Sequence, residues 1–238
     1  MKVSKVIAML AALAVAAPAL VSAQGGSKPT VAVLYFNNGA IGAANAELQP
    51  LSKGIADMLI GELAANPGIR VVERDQIQKV LEEQKLSTDG KVDNETAVKV
   101  GKLVGAHYMV TGGFVTDRSN RMRFTARVFK TETSEIVFPS AGGPTGVVNG
   151  KVDDFMDLVV QLAQKINAGA KLPDIPARVG EARKEAAKKV PYEAIALYSK
   201  GLAAADAKDK AGAVTLFKQA IAKFPEFDRA KTELAKLQ

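Results

Sequence analysis

A chain of 238 residues has room for one domain of ordinary size and a smaller one. It contains no Cys, which excludes disulfides, an N-terminal lipid-modified Cys and any Cys–His catalytic pair. The formal charge of +7 includes Lys2 and Lys5. Such a modest excess suits acidic surfaces such as anionic head groups or cell-wall polymers, or merely solvates helices.

Lys2 and Lys5 precede an apolar run, Val6 to Leu20, and then the small-residue exit Val21-Ser22-Ala23. This is the pattern of a secretory signal peptide, cut between Ala23 and Gln24. The run is short for a bilayer span of about 20 residues, and no second long apolar stretch follows, so the mature chain has no expected transmembrane segment. Val31 to Phe36 is a continuous run of β-formers and reads as a strand buried on both faces. Residues 37–45 read as loop. Leu48, Leu51, Ile55, Leu59 and Leu63 recur at helical steps, and Asn66-Pro67-Gly68 ends that helix. A second strand is expected over Ile69 to Val72. Next come a helix capped by Asp75 with Ile77, Val80 and Leu81 inward, and a loop ending at Gly90. A further helix runs from Asp93 to about Val104.

Tyr108 to Val115 reads as a strand, and Asp117 to Asn120 as a turn. Met122, Phe124, Ala126 and Val128 then alternate with Arg123, Thr125 and Arg127, which marks a strand with one buried face. A last strand is expected over Glu135 to Phe138. Val152, Phe155, Val159, Leu162 and Ile166 define a closing helix. The order β-α-β-α-α-β-β-β-α implies an α/β domain with a mixed sheet covered by helices. Beyond the Leu172–Pro176 linker, Ala213, Phe217, Ala220 and Pro225 match the second half of a tetratricopeptide repeat. Leu197 and Gly201 fit its upstream positions; Lys200 and Ala204 do not. A single hairpin cannot bury its own apolar face, so it must dock on the first domain or on a partner.

No constellation of side chains points to catalysis. His107 is the sole histidine, at a helix-to-strand junction where a structural role is expected, and one His without Cys does not make a zinc site. Asp153, Asp154 and Asp157 fall where carboxylates offset a helix dipole. Gly39 to Gly42 lacks dinucleotide spacing, and Gly146 to Val152 falls short of a phosphate loop and lacks its Ser/Thr. The C-terminal Lys and Arg residues have no interleaved aromatics of the kind that bind nucleic acid. The expectation is no catalytic, cofactor-binding or metal residues, no cofactor and no nucleic acid.

The segment Val71-Val72-Glu73-Arg74-Asp75-Gln76-Ile77-Gln78-Lys79-Val80-Leu81-Glu82-Glu83-Gln84 resembles the curli production assembly/transport (CsgG) family. Gly101 to Gly112 is similar to that family's strand entry, with His107 where an acidic residue is common. Val31 to Phe36 is similar to its opening strand. The resemblance implies an α/β fold and an envelope setting. Family members that form a secretion channel are lipidated and carry long barrel hairpins. Here Cys is absent and only Asp117 to Asn120 joins the two middle strands, so no pore is expected.

The expected organisation is a signal peptide over 1–23, a flexible leader over 24–29 and a CsgG-like α/β domain over 30–170. A linker and connecting helix occupy 171–190, and a small all-α tetratricopeptide-like region 191–238. The expected role is non-enzymatic: a periplasmic interaction or assembly protein in outer-membrane or cell-surface assembly or secretion, possibly peripheral to the outer membrane. Its partners would be envelope proteins met through the helical repeat, with a homo-oligomer also open. The alternative is a periplasmic activator or regulator of a cell-wall enzyme.

Overall fold

A computed structural model describes residues 28–86, 92–140, 145–187 and 190–238. The expected signal peptide, most of the leader and Gly90 lie outside the described residues. Strand β1 spans Thr30–Val33, and pairing resumes in the two-residue β2, Asn37–Asn38. The single strand expected over Val31 to Phe36 is therefore divided, although all six residues are buried. The cause is local: Phe36 N donates to Ser52 O (3.2 Å), and the Ser52 hydroxyl donates to Phe36 O, which takes Phe36 out of the ladder. The helix expected around Leu48 to Leu63 is likewise two, α1 (Ala43–Leu48) and α2 (Leu51–Ala64). Pro50, which has no N–H to continue the first, stands between them.

Strand β3 (Arg70–Val71), α3 (Arg74–Glu83) and α4 (Asn94–Leu103) follow. Glu73, not Asp75, is the N-cap of α3, and Asp75 sits inside its first turn. Asp93 caps α4 as expected, its carboxylate accepting from Thr96 N at 2.7 Å. Next come β4 (Tyr108–Thr116), β5 (Arg121–Lys130), β6 (Ile136–Phe138) and β7 (Val147–Lys151). The turn between β4 and β5 closes as its residues dictate: Asp117 Oδ1 accepts from Ser119 N and Arg121 N, and Asn120 takes a left-handed φ of 55°. Strand β7 was not expected. Its sequence, Val-Val-Asn-Gly-Lys, carries no clean alternation, and it is a strand because β5 offers a free edge to pair with.

The sheet is mixed. Its order is β3-β1-β4-β5-β6, with β2 on β4 and β7 on β5. Strands β1, β2 and β3 run parallel to their neighbours, and β5 is antiparallel to β4, β6 and β7. One face carries Val110, Phe114, Met122, Phe124, Val128 and Val148. It is covered by α2 and by α5 (Phe155–Gly169), whose Phe155 meets Phe124 edge-on at 5.4 Å. On the opposite face α4 covers Met109: a Cβ on Gly101 would lie 2.4 Å from Met109 Cγ. The α/β class with an all-α extension is the observed one.

Helices α6 (Ala177–Ala187), α7 (Tyr192–Asp206), α8 (Lys210–Lys223) and α9 (Asp228–Lys236) complete the chain. Ala213, Phe217 and Ala220 are fully buried. Gly201 allows the Phe217 ring close approach, since a Cβ there would lie 2.5 Å from it. The apolar face of α7 (Ala194, Ile195, Tyr198, Leu202) lies on α2, so α2 is sandwiched between the sheet and the helical region. Of the two docking sites left open by the sequence, the chain's own α/β domain is the one occupied.

Candidate interaction surfaces

The residues a catalytic reading would use are dispersed. His107 is exposed. Its Nδ1 accepts from Thr30 N (3.0 Å), and its backbone N donates to Thr30 O (2.8 Å), which pins the start of β1. Asp153 and Asp154 lie in a 3-10 turn before α5, and Asp157 accepts from Gln161 one turn on. Gly39 N donates to Phe114 O beside β2, and Gly146 to Lys151 belong to the approach to β7 and to the strand itself. Among the described residues no group of three or more His, Asp or Glu is placed to hold a metal ion.

Two concentrations of polar side chains remain. The first is the seam between α2, α3 and the helical region. Gly54, Asp57 and Gly61 form one stripe of α2, and the glycines let the neighbouring helices approach. A Cβ on Gly54 would lie 1.8 Å from Ser199 Oγ, and one on Gly61 2.3 Å from the Arg229 guanidinium. Asp57, 4% exposed, accepts from the Tyr198 hydroxyl and from Arg229 Nε, both at 2.7 Å. Beside it Arg74 Nη1 donates to both Asp206 oxygens (3.0 Å) and to the Tyr35 hydroxyl (3.2 Å), and Lys53 pairs with the same Asp206. Tyr35 donates to Gln78 (2.6 Å). At the rim Asp75 accepts from Arg74 (2.9 Å) and Lys236 (2.8 Å).

Burial pushes both phenols up, and the neighbouring carboxylates, Asp206 for Tyr35 and Asp57 for Tyr198, add to the rise. Burial works against the charge on Arg74, but Tyr35 and Asp206 outweigh it, and Arg229 is held charged chiefly by Asp57. All four are therefore fixed as donors across ordinary pH. The seam is a fully committed structural joint. Arg74 and Asp75, the turn of the family-like segment, serve it, a role invisible in the sequence because their partners lie more than 130 residues away.

The second concentration is an open sheet face. Beyond Met109 no described helix covers the side of β4, β5 and β7 opposite α5. Register places Thr111 beside Arg127, Gly113 between Asn37 and Thr125 with Val147 beyond, Val115 beside Arg123 and Asn149, and Arg121 beside Lys151. Arg121, Arg123, Thr125 and Arg127 are exposed, and so is Val115 at 41%. Arg123 Nε donates to Asn149 Oδ1 (2.8 Å), which orients its guanidinium. Among the described residues Arg121, Arg127 and Lys151 have no ion pair. The alternation of residues 122–128 revealed which side is outward; the sequence did not reveal that no helix covers it.

Residues 16–123 match the family described as curli production assembly/transport component CsgG. The match starts earlier than the resemblance read from the sequence and ends inside β5. No curated protein matches the chain. In structure, the chain is similar to the LpoB C-terminal domain from Salmonella enterica, at 18% identity and a TM-score of 0.36, over 52% of this chain and 84% of that one. It is also similar to LpoB from Escherichia coli, at 22% identity and 0.37, over 53% and 57%. A third likeness is to the lipoprotein GNA1162 from Neisseria meningitidis, at 9% identity and 0.36, over 51% and 79%.

Proposed function

We propose that this chain, with its CsgG-family stretch over residues 16–123, is a non-enzymatic interaction protein of the cell envelope, exported by the Met1–Ala23 leader and engaged in assembly or secretion. The observation that carries the interaction role is the open face of β4, β5 and β7. The chain uses its own helices to cover the other side of the sheet and the apolar face of α7. It leaves Arg121, Arg123, Thr125 and Arg127 in a row without a covering element. An ordered, uncovered surface of that kind on rigid strands fits recognition of another molecule. A second reading, regulation of a cell-wall enzyme, would use the same surface with a different partner.

The proposal includes no pore. Strands β4 and β5 lay their apolar side on α5 and turn Arg and Thr outward, a face that hydrocarbon would reject at about 2–4 kcal/mol per mid-membrane Arg. Purified mature protein should therefore give no stepwise conductance in planar bilayers, and stable steps would contradict this part. The interaction role is tested by capture from envelope extract. Wild type should retain partner proteins that the variant Thr125→Trp, which obstructs the open face, does not. Equal capture by both would refute the assignment of the surface.

A further inference from the structure

We infer that the open face is a track for an extended, acidic segment of a partner protein; the inference rests on the interaction role proposed above and names the chemistry of its partner. Residues two apart on a strand repeat at about 6.8 Å, so Arg121, Arg123 and Arg127 stand in line at one, then two, of these steps. An extended peptide has the same repeat. Carboxylates at its alternate positions therefore meet these guanidinium groups in register, and Lys151, beside Arg121, broadens the positive end. The cations are available: Arg121, Arg127 and Lys151 have no ion pair among the described residues, and Arg123 is held only by the neutral Asn149 amide. Arg forks pair with carboxylates in a bidentate manner, which gives direction as well as charge. Thr125, midway along the row, supplies a hydroxyl, and the half-exposed Val115 supplies one apolar contact next to Arg123.

Other anionic partners fit less well. Among the described residues the open rows contain no aromatic side chain, whereas single-stranded nucleic acid binds by stacking bases on such groups. Acidic residues flank the row: Asp93 lines the cleft that holds Arg127, and Asp117 the one that holds Arg121 and Arg123. A flat anionic membrane would meet those carboxylates together with the arginines; a single strand lies between them.

The test is titration of the mature full-length protein with a peptide of alternating Glu and Thr, followed through the backbone amides by NMR. The comparisons are a peptide of the same composition with its Glu and Thr in two blocks, an oligo-dT, and phosphatidylglycerol vesicles. The alternating peptide should shift the amides of β5 and β7 and bind more tightly than the block peptide. Its affinity should fall about tenfold, the loss of one charge-assisted contact, in Arg123→Gln/Arg127→Gln and not in Lys218→Gln on exposed α8. Unchanged thermal melting of the double variant establishes that both exposed substitutions leave the fold intact. Equal binding of the two peptides, or tighter binding of oligo-dT or vesicles through the same arginines, would overturn the inference. If no peptide shifts β5 while Thr125→Trp still abolishes capture from extract, the acidic-segment assignment falls and the interaction role stands. If capture also survives Thr125→Trp, both fall.

Discussion

Asp57 shows how one carboxylate can hold two parts of a chain together. Its Oδ2 accepts from Tyr198 of α7 and Arg229 of α9, while its own helix packs on the sheet. Removing it leaves a buried hydroxyl and a two-thirds-buried guanidinium without an acceptor. Breaking a buried pair costs about 3–5 kcal/mol, and the partial exposure of Arg229 puts Asp57→Ala at the lower end. Chemical denaturation should show that loss with little change in slope; a loss below about 1 kcal/mol would mean the joint is not held here. Nothing in the sequence marks Asp57. It lies outside the periodic set of Leu51, Ile55, Leu59 and Leu63, which was legible because one apolar stripe faces the sheet. The Gly54–Asp57–Gly61 stripe was not, because small and charged residues on a helix ordinarily signify solvent. Phe217, Ala213 and Ala220 were readable as core from spacing alone, and all three are fully buried.

Among the elements, α9 has the most conditional attachment. Lys236 at its end donates to Asp75 of α3 and to Glu233. Burial raises the Asp75 carboxyl slightly, but its bonds from Lys236 and Arg74 prevail and hold it below the usual range. Burial lowers Lys236, and Asp75 and Glu233 more than reverse that, so its ammonium is held above its usual range. A depressed carboxyl contributes stability that is present above its unfolded value, about 3.9, and lost as pH falls through the lower folded value. A raised ammonium contributes below its unfolded value, about 10.4, and its contribution is lost as pH rises through the higher folded one. The α9 tether should thus be strongest between those limits. Both groups are half exposed, so its worth is about 0.2–1 kcal/mol. Amide exchange in α9 should accelerate below about pH 4, and Lys236→Met should remove that acid response. An unchanged acid response in Lys236→Met would refute the tether. The sequence reading located α9's neighbours α7 and α8 from the repeat-like spacing. It missed β7, whose strand character comes from the edge it joins and not from its own residues.

On the scale of the whole molecule, the Leu172–Pro176 segment read as a linker does interrupt the helices, yet it is fastened. The Asn66 and Asn167 side-chain amides donate to Pro173 O at 2.7 and 3.0 Å, and Leu172 is buried. Arg183 of α6 also pairs with Glu62 of α2. Buried apolar side chains form one continuous cluster from Val31 to Ala230. Described as two regions by sequence, the chain should then melt as one: calorimetry of the mature protein should give a single transition with matching calorimetric and van't Hoff enthalpies. Two resolved transitions would mean that the sheet and the helical region are independent units. Proline punctuation is visible locally, whereas the contacts that cancel its effect are long-range.

The same division of labour underlies the functional reading, in which the helical region is spent on the chain's own α2 and the sheet presents the free face. In-cell photo-crosslinking tests this most directly. A photoreactive residue replaces Thr125 on the open face or, for comparison, Lys218 on exposed α8, in the full chain with its leader. The account requires a discrete adduct with an envelope protein from position 125 and none from position 218. Adducts from position 218 alone, or from neither position, would contradict it.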